Sequence, residues 1–335
     1  MIPSFPGSNP GDPAKNQRTV RNDGSFLLFV FIYEYINSLL LRKNNYYRVA
    51  RFGRGVFFVF FEGKMIGTYL TLIADYGGRS GGNDLAFAEV SQKLYEKIEN
   101  IAHLDTLSVN AFNTVETAFV VSELALNSKL KNHVVYHNTA PRKDDINPRA
   151  NNAGEFLAFC ILPSGVKVIG VYSGYSFSFL KDFAKIYKVK CSERGSQFRS
   201  RDVFPDMVAS LAAFDATKGD VWEFQGEEIT DVPSIPDNVL LFADGYGNLK
   251  TSIVLNDDIA EGTKFTADIN GIPAVVSYGA GIFSVADGEF VLAKGSSGWD
   301  LPNGERRRFF EISKRGGNAA ANFEFALPGS KIILR

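Results

Sequence analysis

The stretch MIGTYLTLIADYGG, residues 65–78, decides how the chain reads. Tyr69 to Ala74 is a short apolar, β-branched run, followed at once by Asp75 and two glycines. Such a run, closed by an acidic residue and glycines, predicts a buried strand that ends in a loop. Downstream, Leu85, Phe87, Val90, Leu94 and Ile98 form an apolar stripe that predicts a helix over about residues 84–100. Residues 115–126 suit a second helix. Val134–Tyr136, Phe156–Leu162 and Val166–Tyr172 are strand candidates, the last two joined by Pro163-Ser164-Gly165 as a hairpin. Residues 203–214 suit a helix with Asp202 as an acidic cap. Strands and helices that alternate in this way predict an α/β layered domain over residues 65–218.

After about residue 218 the pattern changes. Residues 219–237 are acidic, contain Pro233 and Pro236, and read as a linker. From Asn238 to Arg335, short strands are separated by Asp244-Gly245, Asn270-Gly271, Asp287-Gly288, Asn303-Gly304 and Pro328-Gly329. That rhythm predicts an all-β barrel or sandwich. The expected fold class is α/β: an N-terminal α/β layered domain followed by a C-terminal all-β, barrel-like domain (238–335).

Upstream, residues 1–64 read differently. They carry nine Lys/Arg against four Asp/Glu, a net +5 that leaves −6 for the rest. Residues 1–24 read as a flexible tail. Phe26 to Leu41 is strongly apolar, but it is 16 residues long and contains Glu34 and Asn37. A spanning helix needs about 20 apolar residues, so no stable membrane insertion is expected. Lys15, Arg18 and Arg21 precede this run as in a signal peptide, yet Arg42 and Lys43 follow it in place of a small-residue cleavage site. The segment is expected to be an extension, with Met65 opening the functional body.

The whole chain has 335 residues, 45% hydrophobic and 22% charged, which excludes disorder and a multi-span membrane protein. Cys160 and Cys191 are too few for a disulfide framework or a four-cysteine zinc site. His103, His133 and His137 leave little for a histidine-rich centre, and no metal is expected. A net charge of −1 argues against a nucleic-acid partner. No GxGxxG follows a strand, and GxxxxGK[ST], GxSxG and HExxH are absent. GGRSGG at 77–82 lacks a phosphate-binding lysine; it reads either as a mobile loop or as a loop lining a pocket. Arg306-Arg307-Arg308 reads as a solvated hairpin edge.

Four segments carry a family resemblance. They are Ile73-Ala74-Asp75-Tyr76-Gly77, Phe198-Arg199-Ser200-Arg201-Asp202-Val203-Phe204-Pro205, Asp244-Gly245-Tyr246-Gly247-Asn248-Leu249-Lys250-Thr251-Ser252-Ile253, and Ser296-Ser297-Gly298 with Gly317-Asn318-Ala319-Ala320. In order, they resemble the T-D-F-G loop, F-H-G-R-D-[IV]-F-x-P, D-x-F-G-N-L-x-T-N-I, and the Ser-Ser-Gly and G-N-A-A motifs of the S-adenosyl-L-methionine (SAM) hydroxide adenosyltransferases. That superfamily includes the SAM-dependent fluorinase and chlorinase. The likeness covers about residues 68–335.

The resemblance implies a homotrimer that binds SAM between the N-terminal domain of one subunit and the C-terminal domain of the next. A small nucleophile would attack ribose C5′ and methionine would leave; with water the products are adenosine and methionine. SAM is then substrate, and no cofactor is expected. By motif position Asp75 would accept the ribose hydroxyls, Asp244 would face the methionine ammonium, and Asn248 lies in the same turn. Ser297 would sit near the methionine carboxylate, with Asn318 and Ala319 against the adenine. Asp75 also reads as a turn or capping aspartate, and residues 244–248 as a plain hairpin turn. A cytoplasmic location is expected.

The family's V-D-P-G-V-G-x-x-R segment corresponds to Val134–Arg142, where the aspartate and paired glycines are gone. The histidine of F-H-G-R-D is replaced by Arg199, and Ser173-Gly174-Tyr175-Ser176 stands where P-D-N-G is expected. Three readings follow. His137 could act as base or water-orienting group beside Arg142; Arg142 and Arg199 could hold an anion, a halide or an altered adenosyl substrate; or SAM could be bound without turnover.

Overall fold

The computed structural model describes residues 49–52, 55–58, 67–77, 85–142, 147, 154–192, 196–215, 226–255 and 258–335. The expected tail, the apolar run Phe26–Leu41, the glycine loop beyond Gly77 and most of the expected linker's first half lie outside these residues. The chain divides into two compact units, Met1–Met65 and Ile66–Arg335. In the first, β1 (Val49–Phe52) and β2 (Gly55–Phe58) pair antiparallel.

The second unit is a mixed α/β fold with two seven-stranded sheets. The first sheet is built from β3 (Thr68–Ala74), β4 (Ile101–Ser108), β5 (His133–Asn138), β6 (Leu157–Ile161), β7 (Lys167–Val171), β8 (Ile186–Val189) and β9 (Glu228–Ile229). Their order is β4-β3-β5-β7-β6-β8-β9. β3 runs parallel to β4 and β5, and β5 parallel to β7. β6, β8 and β9 add antiparallel pairs, beginning with the hairpin at Pro163-Ser164-Gly165.

Helix α1 (Leu85–Lys97) connects β3 to β4, and α2 (Thr114–Leu126) carries the chain back past β3 to β5. The winding direction therefore reverses between β3 and β5. At such a switch point the loops leave in opposite directions and open a crevice at the carboxyl ends of the strands.

The two helices cover opposite faces of the sheet. Leu70, Leu72 and Ala74 pack with Phe87, Val90 and Leu94 of α1, whereas Ile73 and Val135 pack with Val115, Phe119 and Val121 of α2. Burial on both faces explains the nearly unbroken apolar text of β3. Leu85, read as part of the α1 stripe, is exposed at the helix start, while Ile98 is buried just beyond its end. Asn113 starts α2 by accepting the Glu116 N–H at 2.9 Å.

The helix expected at 203–214 is present as α4 (Phe204–Ala213), preceded by a short helix the sequence did not announce, α3 (Arg199–Asp202), with Val203 between them. Two expectations change. Asp202 does not cap α4; it accepts Arg201 Nε at 2.7 Å and the Ser196 hydroxyl. Pro205 in the first turn of α4 fixes where that helix begins, one residue too late for Asp202 to cap it. The expected linker contributes an edge strand, β9. The edge strand β4 has no apolar run to announce it, because none of its residues is buried.

The second sheet comprises β10 (Leu240–Ala243), β11 (Leu249–Thr251), β12 (Lys264–Ile269), β13 (Ile272–Tyr278), β14 (Phe290–Asp300), β15 (Arg306–Lys314) and β16 (Ile332–Leu334). Its order is β10-β11-β15-β14-β13-β12-β16, and a bridge from Val239 to Lys331 joins the two outer strands. Leu240 N to Ser330 O at 2.9 Å and Ile332 N to Asn238 O at 2.7 Å reinforce that seam. The sheet so curls around Leu240, Leu249, Ile269, Leu292, Ile312 and Phe323. Asn270 and Gly271 both take positive φ, 55° and 83°, as a two-residue hairpin turn requires.

Aromatic packing joins the two sheets. Trp299 of β14 lies 5.1 Å from Phe179 and 5.2 Å from Phe309, and Phe309 lies 5.4 Å from Phe119 of α2. Among the described residues no helix is long and apolar enough to cross a membrane.

Candidate functional site

A cavity of about 710 Å³ opens at the switch point. Asp75 and Tyr76, which directly follow β3, form one wall with Phe112. Asn138 at the end of β5 and Arg142 just beyond it form the next. Glu155 comes from the approach to β6, and Phe198, Arg199, Ser200 and Phe204 from around α3.

Asp75 is held in place by the sheet, its N–H reaching Asn138 O at 3.3 Å. Its carboxylate accepts the Phe112 N–H at 2.8 Å. Burial raises the Asp75 pKa above the usual carboxylate range. The Phe112 and Asp75 backbone N–H groups and the Arg142 charge oppose that rise, and Glu155 adds to it. Tyr76 packs edge-on to Phe87 at 5.1 Å and Phe198 at 5.8 Å, and its hydroxyl accepts Asn138 Nδ2 at 2.7 Å. Burial pushes the Tyr76 pKa upward, so the phenol stays protonated.

Glu155 is buried and ties both arginines into the wall. Its carboxylate accepts the Arg142 N–H at 2.5 Å, and its main-chain oxygen accepts Arg199 Nη1 at 3.0 Å. Arg142 adopts a left-handed backbone, φ 60°. The Arg199 guanidinium lies 4.8 Å above the Phe204 ring, and its buried Nε has no hydrogen-bond partner among the described residues. The cavity thus combines two carboxylates, two guanidinium groups and several aromatic walls.

His137 is not in this cavity. It is fully buried in β5, its ring 4.9 Å from Phe177 and pressed against Gly170, where an added Cβ would come within 2.1 Å. Neither ring nitrogen has a hydrogen-bond partner among the described residues. The expected role as base is corrected for a geometric reason. Successive strand residues face opposite ways, so Asn138 reaches the cavity while His137 points into the α2 side. Burial lowers its pKa from 6.5 to about 3, so the ring is neutral in the folded protein.

The unfolded chain takes up a proton there below about pH 6.5, and folded stability must fall as the pH drops from 6.5 toward 3. By pH 5 this residue's share of the loss reaches about 2 kcal/mol. A His137→Leu variant is expected to lose correspondingly less between pH 7 and pH 5, read from urea midpoints. Equal losses in both proteins would contradict the buried neutral ring.

The C-terminal candidates gather elsewhere. Asp244 accepts the N–H groups of Tyr246 at 2.9 Å and Asn248 at 3.0 Å, and Asn248 Nδ2 at 3.0 Å. Lys250 lies 3.7 Å from Asp244 and pairs with Glu311 at 2.7 Å. Asn318 packs on Gly247, whose φ of 83° and lack of a side chain both permit the approach, and it caps α5 (Ala319–Asn322) through Ala321 N at 2.8 Å. Ala319 is buried in the first turn of that helix. Ser297 lies in the stretch between Lys294 and Gly298 where the β14–β15 register shifts. The turn therefore brings together Asp244, Asn248, Asn318 and Ala319. None of them, nor Ser297, lines the switch-point cavity of the same chain.

Glu155, Tyr76 and Asn138 were missed as cavity residues. Asn138 could have been found as the residue ending the second strand of the switch point. Glu155 belongs to no motif, and nothing local marks it. Among the described residues no group of three His, Cys, Asp or Glu side chains could hold a metal ion.

No protein-family model matches the chain, and no curated protein does. Solved structures do share its fold. An uncharacterized conserved protein from Thermotoga maritima superposes with a TM-score of 0.59 at 13% identity, over 79% of this chain and 100% of its own. A conserved hypothetical protein from Thermus thermophilus gives 0.53 at 17% identity, over 80% and 100%. At these identities the likeness is one of fold.

Proposed function

We propose that the protein cleaves SAM at ribose C5′ with water, giving adenosine and methionine. The observation that carries this reading is the position of Asp75, a half-buried carboxylate at the switch-point crevice, beside aromatic walls. A carboxylate can accept both hydroxyls of a vicinal diol, and aromatic faces suit a purine. The sulfonium is already a good leaving group, so the protein need only align and desolvate the nucleophile. With His137 in the core, Glu155 is the buried cavity carboxylate best placed to orient water. The water oxygen bonds to C5′, the C5′–S bond breaks with its electron pair going to sulfur, and the water proton passes to Glu155.

The reading takes the architecture as an α/β domain followed by a barrel, and the assembly as a homotrimer working in the cytoplasm. Asp244, Asn248, Ser297, Asn318 and Ala319 would reach the cavity from a neighbouring copy; their separation from the cavity within one chain is consistent with that. Binding without turnover is a second reading, favoured by the burial of His137.

Incubating the full chain with SAM and separating products by liquid chromatography with mass detection tests this. Adenosine and methionine are expected. Calorimetric binding of SAM without product would select the second reading, and neither binding nor product would overturn both. Asp75→Asn is expected to weaken apparent SAM affinity at least about tenfold, because it loses a charged acceptor. Since burial raises the Asp75 pKa, wild-type affinity should fall on acidification from a higher pH than for an ordinary aspartate. An acid limb that Asp75→Asn leaves unchanged would contradict the assignment.

A further inference from the structure

We infer that the cavity contains a subsite for a tetrahedral oxyanion of the phosphate type, formed by Arg142 and Arg199 beside the nucleoside site. The inference rests on the reading of the cavity as a nucleoside site and extends it to ligands that carry phosphate.

Two cationic side chains line one cavity, and among the described residues neither guanidinium meets a carboxylate at ion-pair distance. Arg142 is exposed and water can satisfy it, whereas Arg199 is half-buried, where a guanidinium without a counter-charge is costly. The cavity carboxylates do not supply that charge directly. Asp75 is engaged by the Phe112 N–H, and Glu155 directs an oxygen to the Arg142 main chain rather than to its guanidinium. Arg199 is fixed from two sides, by the Glu155 main-chain oxygen and the Phe204 ring, while its buried Nε remains without a partner among the described residues.

Both arginines converge on Glu155, one through its main chain and one through its side chain. The Arg199 guanidinium is thereby preorganised, and the Arg142 backbone is fixed at the cavity edge from which its side chain extends. A planar fork of donors matches the edge of a phosphate group, which could engage two forks at once. Chloride has no such edge. The oxyanion could be free phosphate or the 5′-phosphate of a nucleotide whose ribose sits on Asp75.

Calorimetric titration of the full chain with adenosine, adenosine 5′-monophosphate and inorganic phosphate tests this at constant ionic strength. The nucleotide is expected to bind at least about tenfold more tightly than adenosine. Inorganic phosphate should bind more weakly than the nucleotide if the nucleotide is the source, and equally well if the free anion is. Arg199→Met and Arg142→Met should remove the phosphate increment and leave adenosine binding within about threefold. Arg199→Lys keeps a charge without the fork and should lose part of the increment. It decides the matter should either Met variant fail to melt cooperatively.

Adenosine binding as tightly as its monophosphate in the wild type would overturn the subsite while leaving the nucleoside reading standing. Chloride displacing phosphate at equal concentration would also overturn it. Arginine-dependent phosphate binding without any adenosine binding would support the subsite and count against the nucleoside reading.

Discussion

Exchanging Glu155 for Gln is expected to lower SAM turnover by about 100-fold or more, with SAM affinity changed by no more than about threefold. The amide keeps the volume and can still accept the Arg142 N–H, which the carboxylate accepts at 2.5 Å. The wall of the cavity and the left-handed turn at Arg142 should therefore survive. What is lost is the group that takes the water proton as the new O–C5′ bond forms. The effect should fall on kcat and leave KM nearly untouched, because the lost interaction matters in the transition state. An equal loss of affinity would make Glu155 a wall residue only. Unchanged turnover would remove it from the mechanism.

Trp299→Ala is expected to cost about 3–5 kcal/mol of folding stability. The indole is fully buried where the two sheets meet, between Phe179 at 5.1 Å and Phe309 at 5.2 Å. It belongs to a core that draws on both sides, with Val239 and Leu241 from the second sheet region and Phe119, Phe177 and Leu180 from the first. Removing it leaves a cavity that a rigid β14–β15 pair cannot close. Trp299→Phe should cost much less, since it keeps an aromatic ring and removes an N–H that has no partner among the described residues. Urea unfolding of both variants measures the difference. A loss below about 1 kcal/mol for the alanine variant would mean that the neighbouring rings collapse into the space.

Phe179, Phe309 and Trp299 lie far apart in the sequence, and no local pattern announced their contact. The turns were different. Asn270-Gly271 was legible because positive φ at two successive residues is a local demand that few residue types meet. The β3 run and its Asp75 were legible for a similar reason: a strand buried on both faces leaves an apolar run that must end in a polar residue or glycine. Gly154-Glu155, by contrast, carries no signal, because the place of Glu155 in the cavity is set by contacts with Arg142 and Arg199, which lie 13 and 44 positions away.

His137 and Asn138 mark the boundary most sharply. By itself the sequence determined that a strand runs through this stretch, and that the chain winds as alternating strands and helices before a run of hairpins. Those properties follow from hydrophobic period and turn chemistry within a few residues. Which neighbour faces the crevice was decided only by the tertiary structure. A strand covered by helices on both sides is apolar on both, so its text does not reveal its parity, and a shift of one residue exchanges the faces. The packing of α1 and α2 on opposite faces of the sheet fixed that parity, sending Asn138 to the cavity and His137 to the core.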